Sequence, residues 1–156
     1  MKTVILAGAL LAAVASNAFA ADFDVVGVAE VGASVSGDPA VRFGLRMPTK
    51  WAWLNTEVGV MGTKNGGIVD VTPMWHIASI GKDAWVEAGI GIGDNFINDP
   101  KQAQGLILHD LVRVGYKNFF VEGVHYSNGG SFNPLFGTHN NGGFTYFMGG
   151  VMFNFK

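Results

Sequence analysis

The chain has 156 residues, a formal net charge of −2, 49% apolar residues, 14% charged residues and no cysteine. This length holds one domain, and the missing cysteines exclude a disulfide scaffold and a thiol nucleophile. The few charges exclude a disordered chain or a coiled coil, and the lack of a basic cluster argues against nucleic acid as a partner. A composition this apolar is common among membrane proteins.

The N-terminal segment has the pattern of a secretory signal peptide. Lys2 provides a short positive start, residues 4–14 form an apolar run, and residues 18–20 form a small-x-small cleavage site. The apolar run is shorter than the roughly 20 residues that a membrane-spanning helix needs. We therefore predict a signal peptide at 1–20, cleavage after Ala20, and a single exported domain at 21–156.

The rest of the chain alternates between apolar and polar residues. Alternation with a period of two places one set of side chains on each face of a β-strand. The polar sets are rich in glycine and isolated charges, which favours an apolar face toward lipid and a polar, filled interior. Eight such segments lie near 24–35, 39–47, 53–63, 68–77, 83–93, 105–116, 119–127 and 143–155. The sequence thus predicts an all-β fold, an eight-stranded antiparallel transmembrane β-barrel of the outer-membrane type.

Closure and loop lengths support this fold. An even number of strands lets the sheet close without an exposed edge, and eight strands enclose only packed side chains, which excludes a pore. With both ends of the barrel domain in the periplasm, the connections near 48–50, 79–82 and 117–118 are periplasmic. The outward loops at 94–104 and 128–142 are longer, as expected for such barrels.

The predicted strands also assign the charges to faces. Alternation places seven of them inside the barrel: Arg42, Arg46, Glu57, Asp70, Glu87, Arg113 and Glu122. It also predicts that His76 and His109 pack inside. A two-residue hairpin turn at 117–118 would set Arg113 opposite Glu122 inside the barrel and Asp110 opposite His125 outside it.

The seventh strand carries the residues with chemical potential. His125 and Ser127 are two residues apart, so they share the outward face at a separation of about 7 Å along the strand. An imidazole that accepts a hydroxyl proton is the minimum for an activated serine, and Asp110 could orient or stabilise that imidazole. Polar groups facing lipid are costly and need a functional reason. At the outer end of the strand they would meet the ester bonds of lipids.

The sequence VHYSNGG at 124–130, followed by Asn133, Pro134 and a last strand, resembles the lipid A 3-O-deacylase family, the PagL-type outer-membrane enzymes. The resemblance implies an outer-membrane esterase that removes the ester-linked acyl chain at position 3 of lipid A, within lipopolysaccharide, without a metal or other cofactor. It makes His125 the catalytic base and Ser127 the nucleophile. The oxyanion region would be Asn128, Gly129 and Gly130.

One feature departs from that family. Its members have a glutamate past the serine that holds the histidine, whereas the corresponding residue here is His139, and no carboxylate side chain follows Glu122. The third member of the site is therefore open. The candidates are Asp110, His139, Asn140 and Asn141.

A second function class competes with the esterase. The chain could be a non-catalytic small barrel of the outer membrane with a structural or adhesion and binding role. The two hypotheses differ in what they require of His125 and Ser127, because a passive barrel has no use for this pair on the lipid face. The sequence leaves open whether two copies pair as a homodimer.

Overall fold

The computed structural model describes residues 25–99, 105–127 and 143–155. The predicted signal peptide therefore lies outside the described residues. The strands are β1 (Val26–Ser34), β2 (Pro39–Pro48), β3 (Leu54–Thr63), β4 (Gly66–Ile80), β5 (Ala84–Asn95), β6 (Gly105–Tyr116), β7 (Phe119–Ser127) and β8 (Phe144–Asn154). In this part of the chain, no helix is long and apolar enough to cross a membrane.

The eight strands form a closed barrel in which each strand pairs antiparallel with its neighbours in the sequence, and β1 closes the ring against β8. The predicted fold class is confirmed, and the strand positions agree to within a few residues. The largest difference is β4, which continues to Ile80 through a bulge between His76 and Ala78. The bulge shifts the alternation by one residue, so the sequence pattern stops before the strand does.

The connections define two ends of the barrel. The connections β2–β3, β4–β5 and β6–β7 lie at one end, here called the turn end, and the other four lie at the opposite loop end. The β6–β7 turn consists of Lys117, which has a φ of 54°, and Asn118. This even turn gives the predicted register, with Arg113 opposite Glu122 and Asp110 opposite His125.

The middle of the barrel interior holds a network of buried charges. Arg42 forms ion pairs with Glu30, Glu57 and Asp70. Arg113 forms ion pairs with Glu30, Glu57 and Glu122. All seven charges predicted to face inward are buried, so the predicted facing is confirmed. Breaking such a buried pair by removing one partner is strongly destabilising, which fixes the strands around the network.

The two ends of the barrel interior, on either side of this network, differ in polarity and packing. Toward the loop end the interior is filled by apolar and aromatic residues that include Met61, Ile68, Tyr126 and Tyr146. Toward the turn end a polar cavity of about 380 Å³ opens, lined by residues that include Glu87 and its ion-pair partner Arg46. The described interior is therefore filled through its middle and at its loop end.

The outward face of the wall is apolar and uncovered. Phe119 is 69% exposed and Phe147 is 63% exposed, and Val121, Val112 and Ile90 are similarly open. A continuous apolar surface of this kind is costly in water and is expected of a barrel surrounded by lipid. Against this background any polar side chain on the outer wall is conspicuous.

Candidate active site

His125 and Ser127 lie on the outward face of β7, next to the loop end. Their inward neighbours Val124 and Tyr126 are buried, whereas His125 is exposed and Ser127 is half-buried. The predicted facing of both residues is thus confirmed. A titratable side chain and a hydroxyl therefore stand together on a wall that is otherwise mostly apolar.

The imidazole of His125 lies between two polar partners on the neighbouring strands. Asp110 of β6 is its register partner on one side, and Thr145 of β8 is its register partner on the other. The hydrogen bond goes to Thr145, with 2.9 Å between His125 Nδ1 and Thr145 Oγ1. Asp110 is exposed and, within the part of the chain that is described, its carboxylate makes no hydrogen bond or ion pair.

The other edge of the His125 ring lies over Gly143. A Cβ atom on Gly143 would be 2.8 Å from His125 Cε1 and 2.9 Å from His125 Nε2, so any side chain there would force the ring out of this position. Because His125 pairs with Thr145, continuing the antiparallel register by two residues sets Gly143 opposite Ser127. The Nε2 edge therefore points toward the row of Ser127.

Among the described residues, no hydrogen bond joins His125 to Ser127. Free enzymes commonly have long or poorly aligned catalytic hydrogen bonds that tighten only with substrate. The remaining predicted site residues lie outside the described residues: Asn128, Gly129, Gly130, His139, Asn140 and Asn141. The structure thus describes the predicted base His125, the predicted nucleophile Ser127 and Asp110, and it adds Thr145 and Gly143, which the sequence did not reveal.

A second histidine, His109, lies on the inner side of the barrel wall. His109 of β6 is buried inside the barrel, where its Nε2 lies 2.7 Å from the hydroxyl of Thr72. Its ring centroid lies 5.2 Å from that of Tyr126, with the two planes tilted by 43°, and the ring occupies the space that a Cβ on Gly91 would fill. Its burial keeps it out of reach of any molecule on the lipid side of the wall. The prediction that His109 packs inside the barrel is confirmed.

Two further features border the candidate site. A cavity of about 400 Å³ beside Thr145 and Gly143 is lined also by Ser34, Ser36 and Phe144. Within the described residues, no three carboxylate, imidazole or thiol groups come together as a metal site. The groups that meet at this surface are therefore hydroxyls, an imidazole and one carboxylate.

Comparison with solved structures gives a close likeness in architecture. The crystal structure of the outer membrane enzyme PagL superposes with a TM-score of 0.68, covering 83% of this chain and 99% of that one. The fold is that of PagL. Sequence identity is only 19%, so the likeness extends to the fold alone.

A second solved structure is also similar in fold at low sequence identity. A barrel described as de novo design of transmembrane beta-barrels matches with a TM-score of 0.59, 12% identity, and coverage of 85% of this chain and 95% of that one. No family model and no curated protein matches the chain. These comparisons give no support for a homodimer. Since one fold hosts many functions, an activity has to be argued from the side chains at the site.

Proposed function

We propose that this chain is an outer-membrane serine esterase that removes the ester-linked acyl chain at position 3 of lipid A in lipopolysaccharide. Ser127 is the nucleophile and His125 the general base. The loop end faces outward, so that the pair lies at the depth of the outer leaflet. The enzyme is exported with its signal peptide and needs no cofactor.

One observation carries this proposal. His125 and Ser127 share the outward face of a barrel wall whose other exposed residues are mainly apolar. Polar groups at such positions cost free energy against lipid and persist where they have a function. The likeness in fold to an outer membrane enzyme supports the same interpretation.

The reaction follows from the two side chains. His125 Nε2 takes the proton of the Ser127 hydroxyl as its Oγ attacks the acyl carbonyl, and backbone amides near Asn128 to Gly130 stabilise the tetrahedral anion. The bond between the acyl carbon and the sugar oxygen then breaks, and that oxygen receives the proton from His125. Water, deprotonated by His125, attacks the acyl-enzyme. The bond between the acyl carbon and Ser127 Oγ breaks, that oxygen takes the proton back from His125, and the fatty acid is released.

Mass spectrometry of lipid A tests the proposal. Cells that express the chain are expected to lose one hydroxyacyl chain from lipid A, and cells that express Ser127→Ala are expected to keep it. Thr56→Val, which changes a hydroxyl on the outer wall of β3, is the matched control and should retain activity. Unchanged lipid A with the wild-type chain folded in the outer membrane would contradict the proposal and favour the passive barrel.

A further inference from the structure

We infer that Thr145 is the positioning residue that orients His125, with Gly143 providing the space for its ring. The inference deepens the proposed esterase and rests on it for its kinetic consequences. It fills the position left open by the missing glutamate with a hydroxyl of the last strand. The two residues enclose the imidazole from the β8 side.

The geometry assigns one ring edge to each residue. Thr145 Oγ1 lies 2.9 Å from Nδ1 of His125, and this contact fixes the rotation of the ring about the Cβ–Cγ bond of His125. The opposite edge, with Nε2 and Cε1, lies in the space that a Cβ on Gly143 would occupy. Since Gly143 stands opposite Ser127 in the continued register, fixing Nδ1 on Thr145 directs Nε2 toward the serine.

The proton balance of the reaction requires this hydrogen bond to run from His125 to Thr145. A base at Nε2 must be unprotonated before attack, so the single proton of the neutral ring is on Nδ1 and is donated to Thr145 Oγ1. After His125 has taken the serine proton, both ring nitrogens carry protons, and Nδ1 still needs an acceptor. A hydroxyl can accept in both states, whereas a valine side chain of similar shape cannot.

A hydroxyl differs from the usual carboxylate in carrying no charge. It orients the imidazole and selects its tautomer but adds little stabilisation to the imidazolium. The expected effect of its loss is therefore that of one net hydrogen bond, roughly a ten-fold reduction in kcat. The exposed carboxylate of Asp110, on the opposite side of the ring, supplies the only negative charge among the described residues paired with His125.

Purified protein in detergent, assayed on lipid A, tests the inference. Thr145→Val is expected to lower kcat about ten-fold with little change in KM, and Thr145→Ser to restore most of it. Gly143→Ala should lower kcat as well, because its Cβ displaces the ring. Thr56→Val is the matched control that should leave kcat unchanged. A Thr145→Val enzyme of full activity, or a Thr145→Ser enzyme as slow as Thr145→Val, would overturn the inference.

A second measurement separates this inference from the proposed function. Nitrogen-15 NMR of the histidine side chains reports the tautomer of His125 without any substrate. The wild-type and Thr145→Ser chains should carry the neutral-ring proton on Nδ1, and Thr145→Val should shift it toward Nε2. The same tautomer in all three chains would contradict the role of Thr145. A tautomer shift in a chain that leaves lipid A intact would support the role of Thr145 and reject the deacylase.

Discussion

Two histidine–threonine pairs lie on opposite faces of the same barrel wall. Inside, His109 of β6 is hydrogen-bonded to Thr72 of β4, and outside, His125 of β7 is hydrogen-bonded to Thr145 of β8. Each pair joins a ring nitrogen to a threonine hydroxyl, at 2.7 Å for Nε2 of His109 and 2.9 Å for Nδ1 of His125. The surroundings differ completely, because His109 is buried and His125 is exposed.

The two histidines therefore differ in their position on the wall more than in their local hydrogen bond. That position distinguishes the structural histidine His109 from the candidate catalytic histidine His125. His109 is enclosed by the interior cluster, where a satisfied polar group stabilises the packing. His125 has a hydroxyl two residues away and open space on the lipid side. Changes made in parallel at the two pairs should therefore affect different quantities.

The largest expected effect comes from replacing the two histidines in turn. His125→Gln is expected to lower the deacylation rate by about 10²- to 10⁴-fold, the usual contribution of a general base, with the urea unfolding midpoint unchanged. His109→Gln should leave the rate of the folded protein within a few-fold of wild type while it lowers the midpoint. Rates on lipid A and urea titrations of both variants check this. Equal loss of activity in both variants with intact folding would contradict the separate roles of the two histidines.

The next effect concerns the inner threonine. Thr72→Val removes the partner of His109 Nε2, and because His109 Nδ1 has no partner among the described residues, the buried ring would keep no hydrogen bond there. We expect a loss of about 1–3 kcal/mol of unfolding free energy with activity retained. Equilibrium unfolding in lipid vesicles measures it. A Thr72→Val barrel as stable as wild type would mean that the inner pair is not structural.

The smallest effect is expected at Asp110. Its carboxylate stands beside His125 without a hydrogen bond, so it neither selects the tautomer of the imidazole nor fixes its orientation. Asp110→Asn should therefore lower kcat by only about two- to five-fold, less than the loss of one hydrogen bond, as measured on lipid A in detergent. A loss of a hundred-fold or more would instead make Asp110 the main partner of His125, so that the outer histidine would depend on a carboxylate and the inner one on a hydroxyl.

Much of this arrangement could be predicted from the sequence because alternation and a short turn transmit register. The inward charges favour an even turn, and a two-residue turn at Lys117 and Asn118 pairs Asp110 with His125 by counting. The partner of His125 on the other side could not be counted in this way. The connection from β7 to β8 spans 128–143, and a connection of that length leaves the register of the next strand undetermined. Thr145 therefore became visible only in the folded chain.

The bulge in β4 escaped the sequence for a related reason. Alternation assigns a face to every residue only while the pleat is regular, and the extra residue between His76 and Ala78 reverses the phase beyond it. The inward charges were predictable because Asp70 precedes the bulge on β4 and the strands that carry the other charges are not bulged themselves. Where a strand keeps its pleat, alternation in the sequence assigns each side chain to a face. Beyond a bulge, the assignment requires the pairing with the neighbouring strand.

The filled interior of the barrel has a consequence for how such a protein would meet its substrate. Because His125 and Ser127 lie on the outer wall and the described interior is filled, the pair is approached from the side, by molecules that share the bilayer. Encounters of this kind occur by lateral diffusion in two dimensions. The relevant concentration is the mole fraction of the lipid in its leaflet, so dilution with inert lipid would slow turnover even when the bulk amount of substrate stays constant.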